Sequence, residues 1–533
     1  MKKLLAVLLA LVMVMSMTAC VTDEGPEETR ASLTLPPAVE KAPERKNADF
    51  YPIETDTVLR VLYTEDGLGD TDASRLWEEL TGIQVDNLTW TNEQMFTSLA
   101  AGDIPDAIVM PWNFTKEKVY EFGAAGKFLD FSKHLDKMPN LCALIKENPE
   151  ILEVCGYPDG AMYSLPQVSW SNTYQSNLLY YRTDMLEEMG WDHTPASADE
   201  FLQFIKEAQA KYGATNPEFV AFMPQQKTYM NWTGTNTISA TFFPSFGELV
   251  ETKLTLNKDK EVVLGAATEQ YRYYLEFMNE IWESGAFGTE IYTMESTASK
   301  ALVQNGNCAI SIGTHAMAAA FPDGVIDVEV MAPITSKYQG VKQWMRVPNV
   351  NFRACVANAN CEDLDTLLAF LDSFYISREN PLNKEGTVWG YSIVKGVEGT
   401  NWTIDDEAKT WTGGAAFSNY YDALFGGLGD NSGVNDYTPL SNLQIKGQGT
   451  NKNLIPYEVF VPNLQNKVML SEDDQMDYAD IWADMEKYIS QMHDKFITGA
   501  EDIETGWDNY LSQLNKMGLE EILEMYQDAY EGK

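Results

Sequence analysis

Residues 102–112 read GDIPDAIVMPW, and the reading of this stretch decides the fold. Gly102 closes a helix that opens at Thr91-Asn-Glu-Gln94, a capping-box spacing, with Met95, Phe96 and Leu99 as its apolar face. The next apolar run is Ala107 to Met110. Working outward, VLRVLY at 58–63 has the character of a central strand, and a helix follows with Leu76, Trp77 and Leu80 on one side and Gly82 as its stop. IQV at 83–85 then alternates into another strand. Strand and helix alternate, which predicts an α/β fold with a parallel sheet. Trp112 lies just past a strand end, where ligands bind in open α/β sheets.

A second unit begins near residue 170. Thr183–Gly190 reads as a short helix with a glycine stop, and Ser197-Ala-Asp-Glu200 is a further capping box. It opens an amphipathic helix through Phe201, Phe204, Ile205, Ala208 and Tyr212. Helices are expected near 268–284, 295–304, 362–378 and 473–495, with loops and short strands over 400–460. Two helical stretches flank Gly518, one carrying Trp507, Leu511 and Leu514, the other Leu519, Ile522, Leu523 and Tyr526. Their apolar stripes are expected to pack on the chain's own body.

The chain has 533 residues and a formal net charge of −41, which repels phosphate backbones and argues against nucleic acid as a partner. MKKLLAVLLALVMVMSMTAC at the N-terminus has two lysines, an apolar stretch and small residues before a cysteine. Residues 1–19 read as an export signal, since the apolar run falls short of the roughly 20 residues that cross a bilayer. Met17-Thr18-Ala19-Cys20 resembles a bacterial lipobox, which implies a diacylglycerol on Cys20. Each buried methylene adds about 0.8 kcal/mol of membrane attachment, so the expected state is lipid-anchored. Residues 20–50 are charged, proline-bearing and aperiodic, and read as a flexible tether. Beyond Cys20 the cysteines are Cys142, Cys155, Cys308, Cys355 and Cys361, an odd number with no CxxC, so free thiols are expected.

Several stretches together resemble the extracellular solute-binding proteins of ABC importers, family 1, and within it the large oligosaccharide-type lipoproteins of Gram-positive bacteria. In order they are TGIQV (81–85), LAAGDIPDAIV (99–109), GKFLDFSKHL (126–135) and DGAMYSLP (159–166). The series continues with YYRTDMLEEMGWDHTPASADEFLQFIKEAQ (180–209), WGYSIVKGVEGTNW (389–402) and FITGAEDIETGWDNYLSQLNKMGLEEILEMYQDAY (496–530). The resemblance implies two α/β lobes, each a mostly parallel sheet flanked by helices, joined by hinge segments. Lobe 1 would comprise 51–168 and 326–376, and lobe 2 would comprise 169–325 and 377–533. It implies capture of a carbohydrate by lobe closure and delivery to ABC permease subunits by a monomer on the outer face of the membrane, with no cofactor. Some relatives carry a calcium loop where this chain reads GATNPEFVAF (213–222). Asn216 and Glu218 cannot supply six to eight oxygen ligands, so no metal is expected there.

Sugar rings offer C–H faces to aromatic platforms and hydroxyls to polar groups at the rim. Trp112, Trp170, Tyr229, Trp232 and Trp344 stand in loop-like contexts and are the candidate platforms. Asp66, Gln167 and Arg346 are the candidate polar partners, whereas Asp106 reads as a structural bond to backbone. A peptide or polyamine ligand is the closest alternative, and a purely structural lipoprotein another. A secreted glycoside hydrolase is the enzymatic rival, but no pair among 79 acids is marked as catalytic, and HExxH, GxSxG and Cys/His metal spacings are absent from the sequence.

Overall fold

Short apolar runs punctuated by capped helices build two main sheets, each with its own core. The computed structural model describes residues 35–64, 72–109, 113–168, 178–234, 237–313, 328–346, 350–376, 380–382, 402–405, 410–413, 453–460, 464 and 468–532. The signal segment and Cys20 lie outside the described residues. In chain order the strands are β1 Val58–Tyr63, β2 Gln84–Leu88, β3 Ala107–Val109, β4 Leu165–Val168, β5 Leu178–Arg182, β6 Phe222–Pro224, β7 Leu254–Leu256 and β8 Val262–Leu264. They continue with β9 Ile310–Gly313, β10 Val328–Val330, β11 Trp344–Arg346, β12 Val350–Ala357, β13 Trp402–Asp405, β14 Thr410–Gly413 and β15 Glu458–Phe460. The pairs β7-β8, β11-β15 and β13-β14 form small two-stranded sheets.

The first sheet has the order β2-β1-β3-β12-β4. β1 is parallel to β2 and β3, while β12 returns antiparallel to both β3 and β4. The reading of 81–109 holds element by element, and Met110 lies outside the described residues. Thr91 and Gln94 form the reciprocal capping box of the helix Asn92–Ala101, and Gly102 ends it in the left-handed conformation that glycine adopts without strain. Trp77 of the preceding helix is buried, its indole N–H donating to Ser373 Oγ at 3.0 Å. Asp106 is structural as expected, but its carboxylate takes the backbone N–H of Arg60 in β1, at 2.8 Å.

The second sheet has the order β10-β5-β9-β6, in which only β6 and β9 are parallel. Both sheets are therefore mixed, and the parallel part is β2-β1-β3 together with β6-β9. Helices Ala198–Tyr212 and Glu269–Glu283 pack in this second core. Ser197 caps the first, accepting from Glu200 N, while Glu200 reaches back to Ala196 N. The C-terminal helices Glu472–Thr498, Ile503–Lys516 and Leu519–Glu531 join the same core through Ile489, Trp507 and Ile522 respectively.

The two cores place some boundaries differently from the sequence expectation. Val39 is fully buried in the first core, and Arg45 pairs with buried Asp372, so 35–50 is docked where a flexible tether was expected. Val328, Val330, Ile334 and Trp344 belong to the second core because β10 pairs with β5, although 326–376 was assigned to lobe 1. Leu382 packs with the first core, although lobe 2 was expected to resume at 377. The five described cysteines are free, and four of them are buried.

Candidate functional site

The register of the first sheet gathers its strand ends along one edge. Tyr63 lies opposite Val109, so β1 and β3 end together; Val168 lies opposite Val350, so β4 ends there and β12 begins there. Asp66, Trp112 and Trp170 follow those ends within three residues of chain. All three lie outside the described residues, as does the side chain of Arg346. Gln167, on β4 beside this edge, is 9% exposed, and its side-chain amide makes no hydrogen bond among the described residues.

In the second sheet Leu178 lies opposite Gly313, and Pro224 opposite Ile312, so the ends of β6 and β9 share an edge with the start of β5. Gln225 and Gln226 leave this edge into the turn Lys227–Met230, which carries Tyr229, with Trp232 just beyond. Tyr229 and Trp232 are buried in the second core, with the Tyr229 hydroxyl accepting from Gln226 Nε2 at 3.1 Å and the Trp232 ring 6.4 Å from that of Trp482. Trp344 is buried as well, and its indole N–H has no acceptor among the described residues. The turn is held from behind by His493, whose Nδ1 lies 2.8 Å from the Tyr271 hydroxyl and whose ring bonds the Met230 backbone. Burial pushes this imidazole down to about 3, so it is neutral.

Two chain crossings tie the edges together. Val168 to Leu178 runs from the first sheet to the second, and Arg346 to Val350 returns. With three residues between Arg346 and Val350, the second crossing spans at most about 15 Å. A groove of about 1410 Å³ lies between Thr115, Lys116, Tyr120 and Tyr157 on the first core and Asp474, Glu521, Glu524 and Asp528 on the C-terminal helices. Thr115 caps the helix Lys116–Ala124, three residues after Trp112. Tyr120 and Tyr157 stack, with centroids 5.9 Å apart and planes 9° from parallel. Lys116 is buried with Nζ 5.4 Å from the Tyr157 centroid, and burial lowers its pKa. Among the described residues no group of three or more His, Cys, Asp or Glu is placed to hold a metal. In the loop after Tyr212, Asn216 bonds Asn307 and the Glu218 backbone N–H.

The sequence reading passed over Gln225, Tyr120 and Tyr157. Gln225 follows a short apolar run, FVAFMP, as Trp112 does, so the same strand-end argument applied to it. The two tyrosines carry no such local signal, because their stacking joins helix Lys116–Ala124 to the loop near residue 157.

Two sheets with separate cores, chain crossings between them and a groove between the first core and the C-terminal helices fit solute capture. Residues 61–359 match the family model of the bacterial extracellular solute-binding proteins. FusA of Streptococcus pneumoniae serotype 4, a fructooligosaccharide ABC transporter substrate-binding protein, is 21% identical over 519 residues, 90% of this chain and 91% of that one. The solved complex of FusA with kestose has a TM-score of 0.66 at 20% identity, covering 89% of this chain and 99% of that chain. An extracellular solute-binding protein from Bifidobacterium longum subsp. infantis has a TM-score of 0.70 at 15% identity, covering 89% and 98%. These likenesses show a shared two-lobed α/β fold, and the family model takes in more than half of the chain. By that match the protein belongs to the bacterial extracellular solute-binding proteins, which bind solutes and are not enzymes.

Proposed function

We propose that this protein is the lipid-anchored substrate-binding subunit of an ABC importer, capturing a carbohydrate, and within that class an oligosaccharide, between its two lobes. The observation that carries the reading is the pair of sheet edges joined by the crossings at 169–177 and 347–349. FusA, a fructooligosaccharide-binding relative, adds support for a sugar ligand. Asp66, Trp112, Gln167, Trp170 and Arg346 would serve the ligand from the first edge and the crossings, while Tyr229, Trp232 and Trp344, packed in the second core, would back the wall of the second lobe. Aromatic faces take the sugar's C–H surface and amide or charged groups take its hydroxyls. Ligand contacts to both lobes favour the closed form, which a permease then receives from a monomer. A diacylglycerol on Cys20 holds the protein at the outer face of the cytoplasmic membrane.

A thermal-shift screen of residues 21–533 against kestose, nystose, maltotriose, xylotriose, a tripeptide and spermidine tests the reading. A ligand that binds only the folded state raises Tm. A rise with one of the oligosaccharides is expected; a rise with spermidine or the peptide alone would overturn the carbohydrate assignment. For the anchor, labelled palmitate is expected in the wild type and not in Cys20→Ala, and equal labelling would contradict lipidation at that residue.

A further inference from the structure

We infer that Gln225 is a specificity-determining residue that hydrogen-bonds a hydroxyl of the captured solute, an inference that rests on the proposed binding between the sheets. Gln225 follows the end of β6, on the edge of the second sheet where β9 ends and β5 begins. It is 1% exposed and fixed at its backbone, its N–H donating to Ile312 O at 3.2 Å and its carbonyl accepting from Ser299 Oγ at 2.6 Å. Its side-chain Nε2 donates to Ser311 Oγ at 3.1 Å, while Oε1 is buried without a partner among the described residues.

Gly313 makes room for that amide. A Cβ on Gly313 would stand 2.8 Å from Gln225 Oε1, closer than carbon and oxygen tolerate, so a side chain there would displace the glutamine. With Nε2 donating to Ser311, the amide oxygen is the end left over. Native proteins pair nearly all buried polar atoms, and an unpaired one calls for a cause. A site built to bond a solute hydroxyl supplies that cause, because its polar group stands unpaired until the right solute arrives.

The experiment compares wild type with Gln225→Met/Ser311→Ala, which removes both partners of the internal bond and leaves neither orphaned, and with Ser311→Ala alone. Melting of the ligand-free proteins is measured first, then affinity for kestose, nystose, maltotriose and xylotriose by calorimetry. The double variant is expected to melt no lower than wild type and to lose at least tenfold in affinity, while Ser311→Ala binds within a few-fold of wild type. A double variant that melts lower, one that binds as wild type does, or an equal loss in Ser311→Ala would each overturn the role of Gln225. A wild type that binds none of the four sugars would overturn the carbohydrate reading itself, and this inference with it.

Discussion

Trp112 shows how far a single residue could be read. Its place three residues beyond β3 follows from local punctuation, the glycine stop at 102 and the apolar run after it. Trp112→Ala is expected to weaken oligosaccharide binding at least tenfold, about 1.4 kcal/mol, with Tm little changed; a drop in Tm with unchanged affinity of the folded fraction would place Trp112 in the core. Tyr229, Trp232 and Trp344 were less legible, because their sequence context looks like loop while their rings pack in the second core. Loop context reports backbone geometry, whereas burial depends on what the rest of the chain lays over it. Histidines differ in the same way. His493 is held at about 3 by burial, whereas exposed His193 is raised by its hydrogen bond to Asp192. The native state refuses at His493 a proton that the unfolded chain accepts, so this residue's contribution to stability is lost as pH falls from about 6.5 toward 3. By NMR the His493 ring is expected to stay neutral at pH 5 while His193 is protonated; a His493 midpoint near 6.5 would contradict its burial.

Among the elements, the most legible were those built from contiguous signals. β1, β2, β3 and the helices between them each announce their start and stop within ten residues. The segment 35–50 did not, since it has no periodicity and its order comes from distant partners. Arg45 pairs with Asp372, which is fully buried and also accepts from the backbone N–H groups of Asn140 and Leu141. Asn47 bonds Asn140 and the Asn380 carbonyl, and Asn380 in turn bonds the Arg45 carbonyl. Arg45→Met leaves a buried carboxylate without its cation and is expected to cost about 3 to 5 kcal/mol in urea denaturation. Deleting residues up to 46 is expected to lower the urea midpoint relative to deletion up to 34. Equal midpoints would mean that 35–50 is a tether after all. β12 was also hidden, because a strand that returns antiparallel from the other lobe is specified by tertiary pairing and not by its neighbours in sequence.

At the level of the whole molecule, the residue pattern marks a second unit from near residue 170, the resemblance implies that the units are two lobes, and the two separate cores give them physical content. Where the sequence assignment differs from the cores, at 328–344 and 380–382, the cause is pairing: β10 joins β5, and Asn380 joins Arg45. The groove between the lobes could not be read at all, since its walls come from residues near 117 and near 524. Glu153 and Glu524 line opposite sides of it, and labels at these two positions report the separation of the lobes. The decisive measurement is the distance between those labels by electron double resonance, with and without a saturating oligosaccharide found in the thermal screen. Closure on the ligand predicts a shorter and narrower distance distribution, and an unchanged distribution in fully bound protein would contradict capture between the lobes.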